Sequence, residues 1–179
     1  PSGNTGNTGN TGNTGNDNPV TPDNPSGVYA QGLVADSARF TDSTYMDGLI
    51  ARCKEKGLNT IAVYVKAPDG KFMLPLEGDY YTVDTVSKDA QAFKEAAASL
   101  KEQGIKLTAV LSVCRDNITP RVFRTSASRT PSTAVWLDRQ YITWFDPYKQ
   151  GVADYTKDLI KACADAGFDS VLLDNLCFP

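Results

Sequence analysis

Histidine does not occur anywhere in the 179 residues. Its absence removes imidazole acid–base work, Ser-His-Asp arrangements and every metal site that relies on His. The four cysteines include no Cys-x-x-Cys pair, so no zinc or dithiol signature takes its place. No apolar run approaches the ~20 residues that cross a bilayer, and no membrane insertion is expected of this chain. A basic surplus is also missing: 18 Lys and Arg stand against 21 Asp and Glu, a net charge of -3. That balance argues against nucleic acid as a partner and against a polybasic membrane clamp. There is no Gly-rich phosphate loop of the Rossmann or Walker kind, and no cofactor is called for. Catalysis would have to use carboxylates, Lys, Tyr, Ser, Thr or Cys.

What is present falls into two parts. Residues 1–26 repeat Asn-Thr-Gly and then turn rich in Pro, Asn and Asp, with Val20 the one aliphatic residue. Such a tail buries too little apolar surface to offset the entropy of ordering it. It reads as a disordered linker, stiffer at Pro19, Pro22 and Pro25. The chain has no initiator Met or signal peptide and reads as a fragment or processed product.

Residues 27–179 read as one α/β domain. Val28 to Val34 is a first strand. Asp42 or Ser43 caps a helix with Met46, Leu49, Ile50 and Cys53 on one face, and Gly57 ends it. Thr60 to Val65 is an apolar, β-branched run of the kind found in strands covered on both faces. Phe72 to Tyr81 looks like an excursion, read as a hairpin. Ser87 caps a second helix facing inward through Ala90, Phe93, Ala97 and Leu100, closed by Gly104. Leu107 to Val113 is the third strand, followed by a long polar loop. Asp146 and Pro147 then read as cap and first helical position of a third helix, with Val152, Tyr155, Leu159 and Cys163 inward and Gly167 at its end. Ser170 to Asp174 is the fourth strand. The β-α-β-α-β-α-β order predicts a parallel sheet with right-handed crossovers. A doubly wound sheet and the first half of a (β/α)8 TIM barrel, which needs about 250 residues when complete, both fit.

Parallel α/β folds gather their sites at the carboxyl ends of the strands. The polar residues there are Gln31, Asp36 and Ser37; Tyr64, Lys66 and Asp69; Arg115 and Asp116; and Asp174 and Asn175. Asp174 follows three apolar residues at a strand end, where a carboxylate is costly unless it opens into a cleft or finds a partner. It is either a nucleophile or acid/base, or a hydrogen-bonded residue fixing the next loop. Lys66 and Arg115 either bind a substrate anion or pair with Asp174 and Asp116. Trp136, Trp144, Phe145 and Tyr148 form an aromatic group, as a core staple or as platforms for sugar rings. Cys53 and Cys163 read as core residues. Cys114 and Cys177, at the ends of the third and fourth strands, could meet if those strands are neighbours.

Four segments then act together. Asn59 to Lys66 with Asp69-Gly70, Arg115-Asp116, Trp144-Phe145-Asp146-Pro147-Tyr148, and Gly167-Phe168-Asp169 through Asp174 to Phe178-Pro179 resemble the spaced motifs of the putative glycosyl hydrolase domain family. The resemblance covers 27–179 and only the first four βα units of that family. It implies a partial (β/α)8 TIM barrel related to the α-amylase type, and it decides for the half barrel. It also implies a carbohydrate substrate, a secreted or cell-surface bacterial protein, and a remaining barrel half as partner. Asp174 becomes the candidate nucleophile and Asp116 a second candidate catalytic carboxylate. Lys66, Asp69, Arg115, Asn175 and Tyr64 become candidate substrate-binding residues. A glycosidase needs two carboxylates about 5 Å or 6.5–9.5 Å apart, and in α-amylase-type barrels the acid comes from a later strand. The fragment alone is therefore expected to be inactive. The chain departs from the family pattern: Tyr64 and Ala67 stand where Asp is usual, Val110 where Arg is usual, and Asn175 and Cys177 replace Tyr and Arg. Those departures leave a non-catalytic carbohydrate-binding barrel as the alternative.

Overall fold

A computed structural model describes residues 31–76 and 86–179. The tail at 1–26, the beginning of the first strand at 28–30 and the far side of the expected hairpin at 77–81 lie outside the described residues. The elements run β1 (Gly32–Ala35), a single 3-10 turn (Ser37–Arg39), α1 (Ser43–Glu55), β2 (Thr60–Lys66), α2 (Ala90–Glu102), β3 (Lys106–Ser112), α3 (Thr119–Val122), α4 (Gln150–Asp165) and β4 (Ser170–Asp174).

The four strands form one parallel sheet in the order β1-β2-β3-β4. In a sequential parallel sheet, right-handed crossovers put every connecting helix on the same face. A doubly wound sheet would reverse direction and use both faces. The sequential order is therefore the arrangement of a barrel segment.

Burial along the strands follows from this. Ile61, Val63, Val65, Leu107, Ala109 and Leu111 are wholly buried, in one core with Leu49, Cys53, Phe93, Leu100, Tyr155, Leu159 and Cys163 from the helices. Phe40 stacks on Phe93 with centroids 4.3 Å apart. Ala62 and Tyr64, which alternate with the buried residues of β2, are half-buried. On the same open face Val34 is 67% and Leu172 56% exposed. The expectation that β2 is covered on both faces therefore holds for one face only. Asp169 fixes the entry to β4: its carboxylate accepts from the Leu107 amide at 2.8 Å, and its own amide donates to the Leu107 carbonyl.

Helix α1 starts where expected, with Asp42 accepting from the Tyr45 amide at 3.1 Å. Gly57, Gly104 and Gly167 all take positive φ just past their helices, a conformation that Gly adopts without a Cβ clash. Two starts differ from expectation. The N-cap of α2 is Asp89, while Ser87 makes a turn before it by accepting from the Asp89 amide. The N-cap of α4 is Lys149, three residues later than expected. Asp146 instead closes a turn, taking the Tyr148 amide on its carboxylate and the Lys149 amide on its carbonyl. Pro147 sits inside that turn, whose geometry suits it as well as a helix start does.

The long loop between β3 and α4 is ordered by short pairings, Arg115 with Trp144, Ala127 with Phe145, Arg129 with Val135 and Leu137 with Thr143. Trp144 and Phe145 are buried by them, whereas Tyr148 is exposed. No helix among the described residues is long and apolar enough to cross a membrane.

Candidate active-site rim

Parallel strands bring the ends of β2, β3 and β4 to one edge, where the polar residues divide into two groups. One is buried. Lys66 is fully buried although β2 is a lysine-tipped strand, because a shift in register between Tyr64 and Lys66 turns its side chain toward α4. Its Nζ lies 2.9 Å from Asp116 Oδ2, donates to the Ser112 carbonyl at 2.6 Å, and rests 5.9 Å from the centre of the Tyr155 ring. Asp116 is equally buried. Its Oδ1 accepts the Ile118 and Thr119 amides at 2.8 and 2.9 Å, while no directed hydrogen bond reaches Oδ2, which the ammonium meets as a charge. Gly70 presses on this carboxylate: a Cβ there would lie 2.5 Å from Asp116 Oδ1, at a φ of +91°. A buried ion pair of this kind holds the β2 and β3 loops together. It leaves neither a cation for substrate at Lys66 nor an accessible carboxylate at Asp116. Of the two aspartates offered as partners for Lys66 and Arg115, Lys66 takes Asp116, and the expected roles of Asp116 in catalysis and Lys66 in substrate binding do not fit this burial.

The other group opens to the mouth. Asp174, half-buried at the end of β4, lies in register with Ser112 of β3. The Tyr64 hydroxyl reaches across β3 and donates to Asp174 Oδ2 at 2.9 Å. Asn175 Nδ2 donates to the same oxygen at 2.9 Å and its amide to Oδ1 at 2.8 Å. Asn175 holds a φ of +52°, which Asn tolerates better than most residues. Its side-chain amide also donates to Ser112 Oγ at 3.1 Å, and that hydroxyl donates to the Arg115 carbonyl at 2.8 Å. The carboxylate thus has a fixed orientation from three donors. The hydrogen bond to Asp174, burial and the carboxylate charge together push the Tyr64 phenol above its ordinary pKa.

Arg115 turns away from both aspartates. Its Nε donates to Asp138 Oδ2 at 2.8 Å and its Nη2 to Gln140. Asp138 also accepts from Trp144 Nε1 and from the Gln140 and Ile142 amides. Burial alone would raise the Asp138 pKa, but these donors, led by Arg115, bring it down to about 2. Asp69 is exposed and accepts the Lys71 amide at 3.0 Å in its own turn. Asp36 likewise accepts the Ala38 amide after β1. The rim therefore brings Tyr64, Asp174 and Asn175 together, and leaves Asp69, Arg115 and the Lys66–Asp116 pair in separate structural contacts.

Sequence reasoning passed over Ser112 and Asp138. Ser112 lies inside an apolar run and Asp138 inside a polar loop, so neither carries a spacing signal. All four cysteines are free thiols. Cys114 and Cys163 are buried, which raises their pKa to about 11 and about 12.

A family model described as "Putative glycosyl hydrolase domain" matches residues 27–179. No curated protein matches the sequence. Among solved structures, a hypothetical protein from Ruminiclostridium thermocellum is similar with a TM-score of 0.74 and 17% identity, over 82% of this chain and 77% of its own. The noncanonic maltogenic alpha-amylase AmyB from Thermotoga neapolitana is similar with a TM-score of 0.54 and 15% identity, over 78% of this chain and 38% of its own. The alpha-galactosidase from Lactobacillus brevis gives 0.51 and 12%, over 80% of this chain and 20% of its own. The chain thus spans less than half the length of these two enzymes, and the likeness is one of fold. It matches part of a TIM-barrel chain.

Proposed function

The chain belongs to the family described as "Putative glycosyl hydrolase domain", and on that premise we propose that the full-length protein is a glycoside hydrolase acting on an oligosaccharide or polysaccharide. In this reading Asp174 is the carboxylate that attacks or stabilises the anomeric carbon. The observation that carries it is the orientation of Asp174 at the open strand edge by Tyr64 and by both nitrogens of Asn175.

Hydrolysis of a glycosidic bond needs a second carboxyl group that protonates the departing oxygen. Asp116 does not serve, because it is sealed behind Gly70 and neutralised by Lys66. The acid/base comes instead from a segment outside these 179 residues, on the other side of the mouth. The 179-residue fragment is accordingly inactive by itself. The Asn-Thr-Gly tail is read as a tether of a secreted or cell-surface bacterial protein.

The test is Asp174→Asn in the full-length protein against a panel of neutral and acidic glycans, reading both turnover and binding. Loss of turnover with binding retained supports the assignment, and undiminished hydrolysis defeats it. One observation favours a second reading, a barrel that binds carbohydrate without cleaving it. Both donors on Asp174 Oδ2 come from the protein itself, and Val110 supplies no cation beside them. Glycan binding by the wild type without turnover of any panel member would select that reading.

A further inference from the structure

A cavity of about 430 Å³ opens beside this rim, between the β3–α4 loop and the residues that follow β4. Arg129, Trp136, Asp146, Lys149, Phe178 and Pro179 are among the residues that line it. These residues come only from segments after the carboxyl ends of β3 and β4, which places the cavity on the same end of the sheet as Asp174. Two features of it bear on what it could hold.

The first is its charge. The chain carries a net charge of -3, yet the side chains lining this cavity bring two cations for one carboxylate. Arg129 donates through Nη1 to the Thr133 carbonyl at 2.6 Å and through Nη2 to the Arg124 carbonyl at 2.5 Å. Those carbonyls fix the guanidinium plane but leave its charge unneutralised, and no carboxylate among the described residues pairs with it. Asp146 has Oδ1 taken by the Tyr148 amide and meets Lys149 only at 4.0 Å. A planar guanidinium held in place, with N–H groups still free, suits a planar carboxylate.

The second is its aromatic wall. Trp136 is half-buried and Phe178 is 50% exposed, its ring 5.2 Å from that of Tyr148, which is itself 85% exposed. Exposed rings of this kind offer an apolar platform against which the C–H face of a pyranose can pack.

We propose that this cavity is a subsite for a uronic acid residue, whose ring lies on Trp136 and Phe178 and whose carboxylate meets Arg129 and Lys149. The inference rests on the glycoside-hydrolase reading above and narrows it to acidic glycans. Nothing covalent happens in the subsite; it binds and orients.

The experiment is calorimetric titration of the full-length protein with short oligomers of galacturonate, glucuronate and mannuronate, each beside its neutral counterpart. At least one acidic oligomer is expected to bind ~10-fold or more tighter than its neutral analogue, the size of one charge-assisted contact. Arg129→Gln and Lys149→Gln should each remove most of that preference. The Lys149 side chain makes only the loose contact to Asp146, so its replacement, which leaves the backbone bonds in place, keeps the test valid even if Arg129→Gln loosens the loop. Asp174→Asn should leave the preference intact. Equal binding of acidic and neutral oligomers, or preference unchanged in both cation variants, overturns the subsite. Asp174→Asn separates the two claims: loss of turnover on a neutral glycan with no uronate preference removes the subsite alone, whereas uronate preference with hydrolysis retained in Asp174→Asn removes the catalytic assignment alone.

Discussion

Tyr64 and Asp174 sit on strands that are not neighbours in the sheet, yet the phenol of β2 donates to the carboxylate of β4 over the top of β3, at 2.9 Å. The bond spans 110 positions of sequence. It ties β2, one strand in from the edge of the described sheet, to the residue on which the functional reading depends.

This bond makes Tyr64 hard to ionise, because a phenolate beside a carboxylate is repelled and loses its acceptor. Removing the charge in Asp174→Asn should let the Tyr64 phenol titrate at lower pH, back toward its ordinary value. The ultraviolet difference titration of Asp174→Asn against Asp174→Asn/Tyr64→Phe isolates this one phenol. An unmoved Tyr64 titration would mean that the bond does not form in solution.

The Lys66–Asp116 pair should behave as structure. Truncating either member leaves the other charged and unpaired in a fully buried place, which costs about 3–5 kcal/mol. Lys66→Met and Asp116→Asn should both lower the urea midpoint strongly, and Lys66→Met/Asp116→Leu should recover part of the loss. A surface pair such as Lys161 with Asp165 should show no comparable effect when broken, as exposed ion pairs contribute little.

Gly70→Ala places a methyl group where the Asp116 carboxylate and the Ile118 amide already are, at a φ that L-residues rarely adopt. A loss of about 1–3 kcal/mol is expected from the backbone conformation alone. Gly48→Ala, in the open on α1 with nothing near its added Cβ, should instead stabilise by roughly 0.5–1 kcal/mol. Opposite shifts in melting temperature check the pair.

Asp138 gives the loop its acid limit. Its folded pKa of about 2 lies below the unfolded carboxylate value, so its contribution is complete above about pH 4 and is lost as pH falls toward 2. Asp138→Asn should flatten the pH dependence of unfolding between those values and weaken the hold on Arg115 and Trp144. Urea denaturation at stepped pH measures it.

Much of the frame was legible in the sequence because it is written in local, periodic terms. Apolar spacing placed α1 through Met46, Leu49, Ile50 and Cys53, and all four became buried. Glycines after three helices marked their ends. The starts of α2 and α4 were less legible, since Ser87 and Asp146 satisfy turns and caps with the same side-chain geometry. The rim was legible only as a roster. Strand-end position nominated Asp174 first and Asp116 as a second carboxylate, with no sign that Asp116 is sealed, because spacing carries no information about burial. A register shift in β2 sends Lys66 to one carboxylate and leaves Tyr64 for the other. That sorting depends on contacts across the sheet, which no local pattern encodes.

The most direct measurement compares Asp174→Asn and Asp116→Asn in the full-length protein, reading the hydrolysis rate and the unfolding midpoint of each. The account predicts that Asp174→Asn keeps a near-native midpoint and loses hydrolysis by ~1,000-fold or more, as expected when a group acting in the transition state is removed. Asp116→Asn should lose stability while its folded fraction still turns over substrate. Hydrolysis at the wild-type rate by a well-folded Asp174→Asn protein would contradict it.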